Sequence, residues 1–290
     1  MDSLALRDKA DGNKTLMNPI TPPNLPISVV IPCFRCTHTI DAALQSVLTQ
    51  TAKPSEIWLI DDCSDDDSLQ HLRALERQHP DLVKVISLAA NSGPGPARNA
   101  GWDAASQPWI AFLDADDVWH PEKLATQWAW LSSHPDVVLC GHQTRLLERN
   151  QFDQIESDFD ARRVSLSQML RSNQFPTRTV MIKRDVPFRF AGKAFSEDYL
   201  LWLQVISEGM PAYKLNTCLA YCLRPEYSPG GLSGNLWRLE KGELQSLVAL
   251  WKEDRLSLGV CLMACTWSLA KFARRQLQRL LQRHKQPTSA

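Results

Sequence analysis

The uncharged run near the C-terminus, Leu256 to Ala270, is 15 residues long, short of the ~20 that a membrane-spanning helix needs. The 32 Lys and Arg residues balance 32 Asp and Glu residues, so no global field recruits nucleic acid. The seven histidines are scattered and form no ligand cluster. Eight cysteines occur as loose pairs, Cys33/Cys36, Cys218/Cys222 and Cys261/Cys265, with Cys63 and Cys140 besides. A chain of 290 residues builds its own core, and no signal peptide precedes it, so a disulfide framework is not expected. Cys33-x-x-Cys36 lacks the second pair or the spaced histidines of a zinc site, which leaves reduced, mostly buried thiols. Gly93-x-Gly95 lacks the third glycine of a dinucleotide fingerprint, because Arg98 holds that place and the segment follows a third strand, not a first. No internal repeat is present.

What remains is an alternation. Residues 1–25 read as a mobile leader ending among Pro19, Pro22, Pro23 and Pro26. Ile27–Ile31 is a continuous apolar run stopped by Pro32, the pattern of a buried strand. A helix from about Thr39 carries Ile40, Ala43, Leu44, Val47 and Leu48 on one face. Strands follow at Glu56–Ile60, Val83–Leu88 and Trp109–Leu113, separated by helices over 66–79 and from the Gly-Pro loop at 91–101 through Ala105. Strand and helix in turn predict a mostly parallel sheet with right-handed crossovers. Beyond Trp119 the expected elements are a helix over 121–133, a strand at Val137–Cys140, an acidic loop over 148–160 and a helix near 165–171. A strand at Thr179–Ile182, a helix opened by Ser196, a strand over 212–221, a loop over 224–234 and a helical remainder over 236–284 follow.

The chain is organised around Trp109-Ile-Ala-Phe-Leu-Asp-Ala-Asp-Asp-Val-Trp119, an apolar strand that breaks off into Asp114, Asp116 and Asp117. The second strand ends similarly, in Asp61-Asp62. Parallel strands deliver such acids to one sheet edge, where ligands of α/β sheets sit. Two carboxylates one residue apart suit a hard divalent cation that keeps positions for water and phosphate. The plain alternative is an acidic turn capping the next helix. Ser196 likewise has the chemistry of an N-cap, and Glu197 and Asp198 that of dipole partners in a first turn.

With Val29-Val-Ile-Pro-Cys-Phe34, Leu59-Ile-Asp-Asp-Cys-Ser64, Ala97-Arg-Asn-Ala-Gly101, Phe112-Leu-Asp-Ala-Asp-Asp117 and Ser196-Glu-Asp198 in this order, the chain resembles the family 2 glycosyltransferases over residues 26–235. The resemblance implies the α/β GT-A fold, with nucleotide-sugar binding over 26–120, an acceptor side over 121–235 and a helical tail over 236–290. It places Asp62 near the base or ribose, beside Pro32 and Phe34, and Arg98 near the nucleotide or its phosphates. Asp116 becomes the direct ligand of manganese or magnesium, with Asp114 on the ribose or reaching the ion through water. Asp198 becomes the base that deprotonates an acceptor hydroxyl, so that direct attack inverts the anomeric centre. A UDP-sugar donor and a glycan or lipid-linked acceptor, in cell-surface polysaccharide or lipopolysaccharide assembly, are the expected substrates.

Two positions depart from the family, which often has Asn where Arg35 stands and Gly where Cys63 stands. The Gln-x-x-Arg-Trp element of processive synthases is absent, which favours one sugar per encounter. Arg224 to Ser233 resembles a loop that closes over the donor. The alternatives are a sugar-nucleotide-binding module without turnover and a sugar-nucleotide pyrophosphorylase; the latter wants a glycine-rich loop after the first strand, where Pro32–Cys36 has no glycine. In the tail, Phe272, Leu277, Leu280 and Leu281 lie among Lys271, Arg274, Arg275 and Arg279, and residues 271–290 hold no acid. That composition suits a helix over 256–285 lying on an anionic membrane surface, with the protein cytoplasmic and peripheral on the inner face. A helix packed on the domain is the other reading.

Overall fold

The structure is a computed structural model describing residues 24–148, 151–155, 159–192, 196–224 and 236–285. The chain opens with β1 (Leu25–Cys33), α1 (Ile40–Leu48), β2 (Pro54–Asp61), α2 (Ser68–Gln78), β3 (Val83–Ser87), α3 (Pro94–Ala104) and β4 (Trp109–Phe112). It continues with β5 (Asp117–Trp119), α4 (Lys123–Ser132), β6 (Leu139–Leu146), β7 (Ala161–Arg163), α5 (Leu166–Arg171), β8 (Met181–Lys183), α6 (Glu197–Ser207), β9 (Ala212–Cys222), α7 (Leu236–Lys252) and α8 (Leu258–Lys285).

Among the described residues one sheet runs in the order β3-β2-β1-β4-β8-β6-β9-β5, with β7 also on β9. β3, β2, β1 and β4 pair in parallel, and β8 enters antiparallel between β4 and β6. Period-two alternation divides the core by sheet face. Ile27, Val29 and Ile31 pack with Leu44, Val47 and Leu72 on one face. Val30, Ile60, Ile110 and Phe112 pack with Trp102, Phe190 and Trp202 on the other. α3 lies so close to β1 that a Cβ on Gly101 would stand 2.5 Å from Val30 Cγ1 and 3.1 Å from Ile60 Cγ1. Gly101→Ala is therefore expected to cost about 1–3 kcal/mol by overpacking, measured by urea denaturation; an unchanged midpoint would show that the helix is free to shift.

The first half follows the expected elements, and the differences fall later. The first strand starts at Leu25, which pairs with Pro54, two residues before the expected Ile27; residues 1–23 of the expected leader lie outside the described set. Thr177–Thr179 is a single 3-10 turn, and only Met181–Lys183 is strand. β6 runs to Leu146 because β9 offers it a partner along that length. Asp117–Trp119 is a strand on β9, not a helix entry. The helical remainder breaks between Lys252 and Leu258, where Asp254 takes a φ of 57°.

Candidate functional site

β2 and β4 flank β1 in parallel, so the acids following both strands emerge at the same sheet edge. They stand two strand spacings apart, roughly 10 Å at the usual spacing. Asp62 is buried, and its backbone N–H donates to Cys33 O at 2.8 Å. Its two carboxylate oxygens accept from the backbone N–H groups of Ser92 and Gly93, each at 2.7 Å. Asp62 thus holds the loop that opens α3, with Pro94 in the helix's first turn.

That helix then supplies a short motif in which each residue has a separate task. Ala97 is fully buried. Asn99 donates from Nδ2 to Phe190 O at 2.8 Å and accepts from Phe190 N at 3.0 Å. Arg98, 6% exposed, lies with its guanidinium carbon 5.3 Å from the Phe190 ring centroid. Its Nη2 donates to Asp114 Oδ1 at 2.5 Å, and its Nη1 donates to Glu197 Oε1 at 2.8 Å. Burial pulls the guanidinium's pKa down, but the Asp114 and Glu197 charges outweigh it and hold Arg98 ionised. Gly95 admits the second acid, since a Cβ there would meet Glu197 Cγ at 3.0 Å. One buried cation therefore ties the end of β4 to the start of α6, where Asp198 sits.

Asp198 Oδ2 accepts from Asn173 Nδ2 at 3.1 Å and Thr177 Oγ1 at 3.3 Å. Burial raises its pKa above the ordinary carboxylate value, against the opposing pull of Arg98. Glu197 is raised by burial as well, again against Arg98. The expected N-cap does not form: Ser196 takes a φ of 64° with no side-chain cap bond, and its hydroxyl turns to Leu239 O at 3.4 Å. At the end of β4, Asp114 Oδ1 is engaged by Arg98, whereas Asp116 is solvent-exposed and, among the described residues, no side-chain hydrogen bond or ion pair holds its carboxylate. Desolvation by the surrounding protein, then the neighbouring Asp114, raises Asp116. Asp117 turns the other way, into the fold, where Arg178 Nη1 donates to it at 3.0 Å. Burial pushes Asp117 up to about 7, with Asp114 and Asp116 adding and Arg178 opposing.

These residues fit a divalent cation. A carboxylate with no side-chain partner among the described residues, one residue from a half-engaged one and in a field that resists a second negative charge, is a donor set that a cation would relieve. Among the described residues no group of three His, Cys, Asp or Glu side chains is placed to hold a metal, so the other ligands of an ion here would be water and substrate oxygens.

The two departures from the family fall at two of the positive-φ positions, Arg35 at 48° and Cys63 at 56°. Asn and Gly adopt that conformation most readily. The turn is held by other means: Arg35 Nε and Nη2 bind both oxygens of Asp65 at 2.6 Å, and its N–H donates to Ser64 Oγ at 3.1 Å. Phe34 is 44% exposed beside it, with the Arg35 guanidinium 5.2 Å from its ring centroid. Cys63→Gly is expected to stabilise by up to about 1 kcal/mol, because the left-handed strain exceeds the entropy that Gly adds to the unfolded chain. A lower melting temperature in that variant would show that Cys63 packs better than its backbone suggests.

The structure thus joins Asp114 to the neighbour of Asp198 through Arg98, and joins Asp62 to the start of the helix that bears Arg98. Arg224 is exposed, and residues 225–233 of the expected closing loop lie outside the described set. Glu197, Asn173, Thr177 and the Asp117–Arg178 pair were not singled out for these roles from sequence. Their partners lie 21 to 99 positions away, and no local pattern marks such pairs.

A mixed sheet with strand-end acids and a helix-borne base candidate is the architecture of the GT-A glycosyltransferases. The family described as Glycosyl transferase family 2 matches residues 28–196, and the chain belongs to it. It is 25% identical over 260 residues to the putative teichuronic acid biosynthesis glycosyltransferase TuaG of Bacillus subtilis, covering 88% of this chain and 97% of that one. It is 28% identical over 202 residues to the Escherichia coli UDP-Glc:alpha-D-GlcNAc-diphosphoundecaprenol beta-1,3-glucosyltransferase WfaP, covering 67% and 76%. Residues 1–349 of S. aureus TarS, solved in complex with UDP-GlcNAc, superpose with a TM-score of 0.64 at 21% identity, over 84% of this chain and 71% of that one.

Proposed function

We propose that the chain is a non-processive, inverting glycosyltransferase that moves a sugar from a UDP-sugar to a hydroxyl of a glycan or lipid-linked acceptor, in cell-surface polysaccharide or lipopolysaccharide assembly. The observation that supports this reading is the Arg98 bridge, which ties Asp114, two residues before Asp116, to Glu197, the residue before Asp198. The names of TuaG and WfaP support the polymer context and the lipid-linked acceptor.

In this reading Pro32 and the exposed Phe34 border the nucleotide, and Asp62 shapes that pocket through the Ser92–Gly93 loop it holds. Manganese or magnesium, when bound, supplies a Lewis acid for the charge that develops on the leaving diphosphate. Asp116 would hold it directly. Asp114, committed on one oxygen to Arg98, would act through water or the ribose. Arg98 fixes the geometry and adds positive potential near the phosphates. Asp198 takes the proton from the acceptor hydroxyl, with Asn173 and Thr177 fixing which carboxylate oxygen faces it. A lipid-linked acceptor would bring residues 256–285 against an anionic membrane surface on the cytoplasmic side.

The test is calorimetric titration of UDP into wild type and Asp116→Ala, with and without manganese. Manganese should tighten binding to the wild type and leave the variant unaffected, a difference of about tenfold or more for losing one charged ligand. Equal metal-dependent tightening in both proteins would remove Asp116 from the cation site.

A further inference from the structure

The last helix carries large apolar side chains on its outward side as well as on part of its packed one. The side of α8 that packs on α7 joins the apolar core through Cys261 and Ala264 and then turns polar: Ser268 Oγ donates to Glu243 at 2.7 Å, Lys271 pairs with Glu243 at 3.5 Å, and Arg275 pairs with the fully buried Glu240 at 3.1 Å. The opposite side is largely apolar and faces solvent, apart from the edge at Trp267, whose Nε1 donates to Arg171 O at the end of α5 at 3.2 Å. Leu258, Leu262, Met263, Trp267, Leu269 and Leu277 are each 45–66% exposed. At 3.6 residues per turn they cover roughly half of the helix circumference. Phe272 and Leu277, expected on one stripe, lie on different sides, since Phe272 packs its ring 5.5 Å from that of Trp237. Scattered exposed leucines need no explanation, but six large apolar side chains on one outward face do.

We infer that this outward face of α8 is the membrane-contacting surface, seated among the headgroups and upper acyl chains of an anionic lipid layer. The inference narrows the membrane contact named above to one helix face. It rests on the transferase reading only for the purpose of that contact. Charge selects the occupant. From Leu256 to Ala290 the sequence holds six Lys or Arg and no acid. Two of these, Lys271 and Arg275, are committed to α7; Arg274 is exposed beside the apolar face, and Arg279, Arg283 and Lys285 follow in the helix's sequence. A second copy brought face to face would oppose Arg274 with its like, whereas anionic headgroups complement it and the basic character of the sequence that follows. Among the described residues no helix is long and apolar enough to cross a membrane, so the helix would lie in the interface.

The test is co-sedimentation of the full chain with phosphatidylcholine vesicles and with vesicles containing phosphatidylglycerol, at low and high salt. Wild type should pellet with the anionic vesicles and be released by salt. Leu262→Glu/Met263→Glu should bind about tenfold or more weakly, because it sets two charges where apolar side chains enter the interface. Arg274→Glu serves as a second variant should the first lose its thermal transition. Transfer to a water-soluble acceptor should be unchanged in either variant, which separates failure of this inference from failure of the transferase reading. Absence of wild-type binding, undiminished binding of folded variants, or a dimer in sedimentation equilibrium that the double substitution dissolves would each overturn it.

Discussion

Asp198→Asn is expected to lower kcat by about 10²–10⁴-fold, the usual contribution of a positioned general base, while donor affinity stays nearly as in the wild type. The amide is close to isosteric, and its oxygen still accepts from Asn173 and Thr177. What it removes is the capacity to take a proton. The pH profile follows with a definite sign. Burial raises Asp198 above the ordinary carboxylate value, and in the proposed role it works only when ionised. Activity should therefore climb with pH along an acid limb displaced upward from the normal carboxylate range, and the residual activity of the variant should lose that limb. Full turnover in Asp198→Asn would mean that another group accepts the proton.

Arg98→Met should produce the largest loss of stability, about 3–5 kcal/mol, the usual cost of removing one partner from a buried ion pair. Its side chain is nearly inaccessible and neutralises two acids, of which Glu197 is 8% exposed. Without it, Glu197 is buried without a counter-charge, and its folded-state pKa, already raised by burial, rises further. A carboxyl raised in the folded state contributes stability that is present below its unfolded pKa and lost as pH rises through the folded one. The deficit of the variant should thus be widest near neutrality and narrow as pH falls toward the unfolded value of Glu. Urea denaturation at several pH values reads this directly. A variant as stable as wild type at neutral pH would show that the Arg98 bridge is incidental.

The first four strands were legible because β1, β2 and β4 are apolar runs that stop at Pro or acids and β3 is a short stretch rich in Val and Ile, and the parallel order followed from their alternation with helices. The strand-end acids were legible for the same reason, since Asp62 and Asp114 sit where the apolar runs stop. What joins them was not. Arg98 reads as a charged residue past a glycine loop, and nothing near it in the chain announces Glu197, 99 residues on. β5 has three residues, and its partner β9 lies about a hundred positions away, so its apolar pair Val118-Trp119 reads as the lead into a helix. The Ser196 cap failed because the entry to α6 is shaped by tertiary contacts, with the hydroxyl taken by α7. In the tail, periodicity identified helix but not which side packs. That side was chosen by Glu240 and Glu243 on α7, which draw Lys271, Arg275 and Ser268 inward and leave the leucines outside.

The proposed transfer requires acids separated in sequence to converge on one phosphate-bound cation. An anomalous-difference map from crystals holding UDP and manganese tests this most directly. The expected result is a manganese peak within coordination distance of Asp116 and of the diphosphate, with Asp198 facing the same cavity. A peak remote from Asp116, or nucleotide seated away from the 62 and 114–116 strand ends, would contradict it.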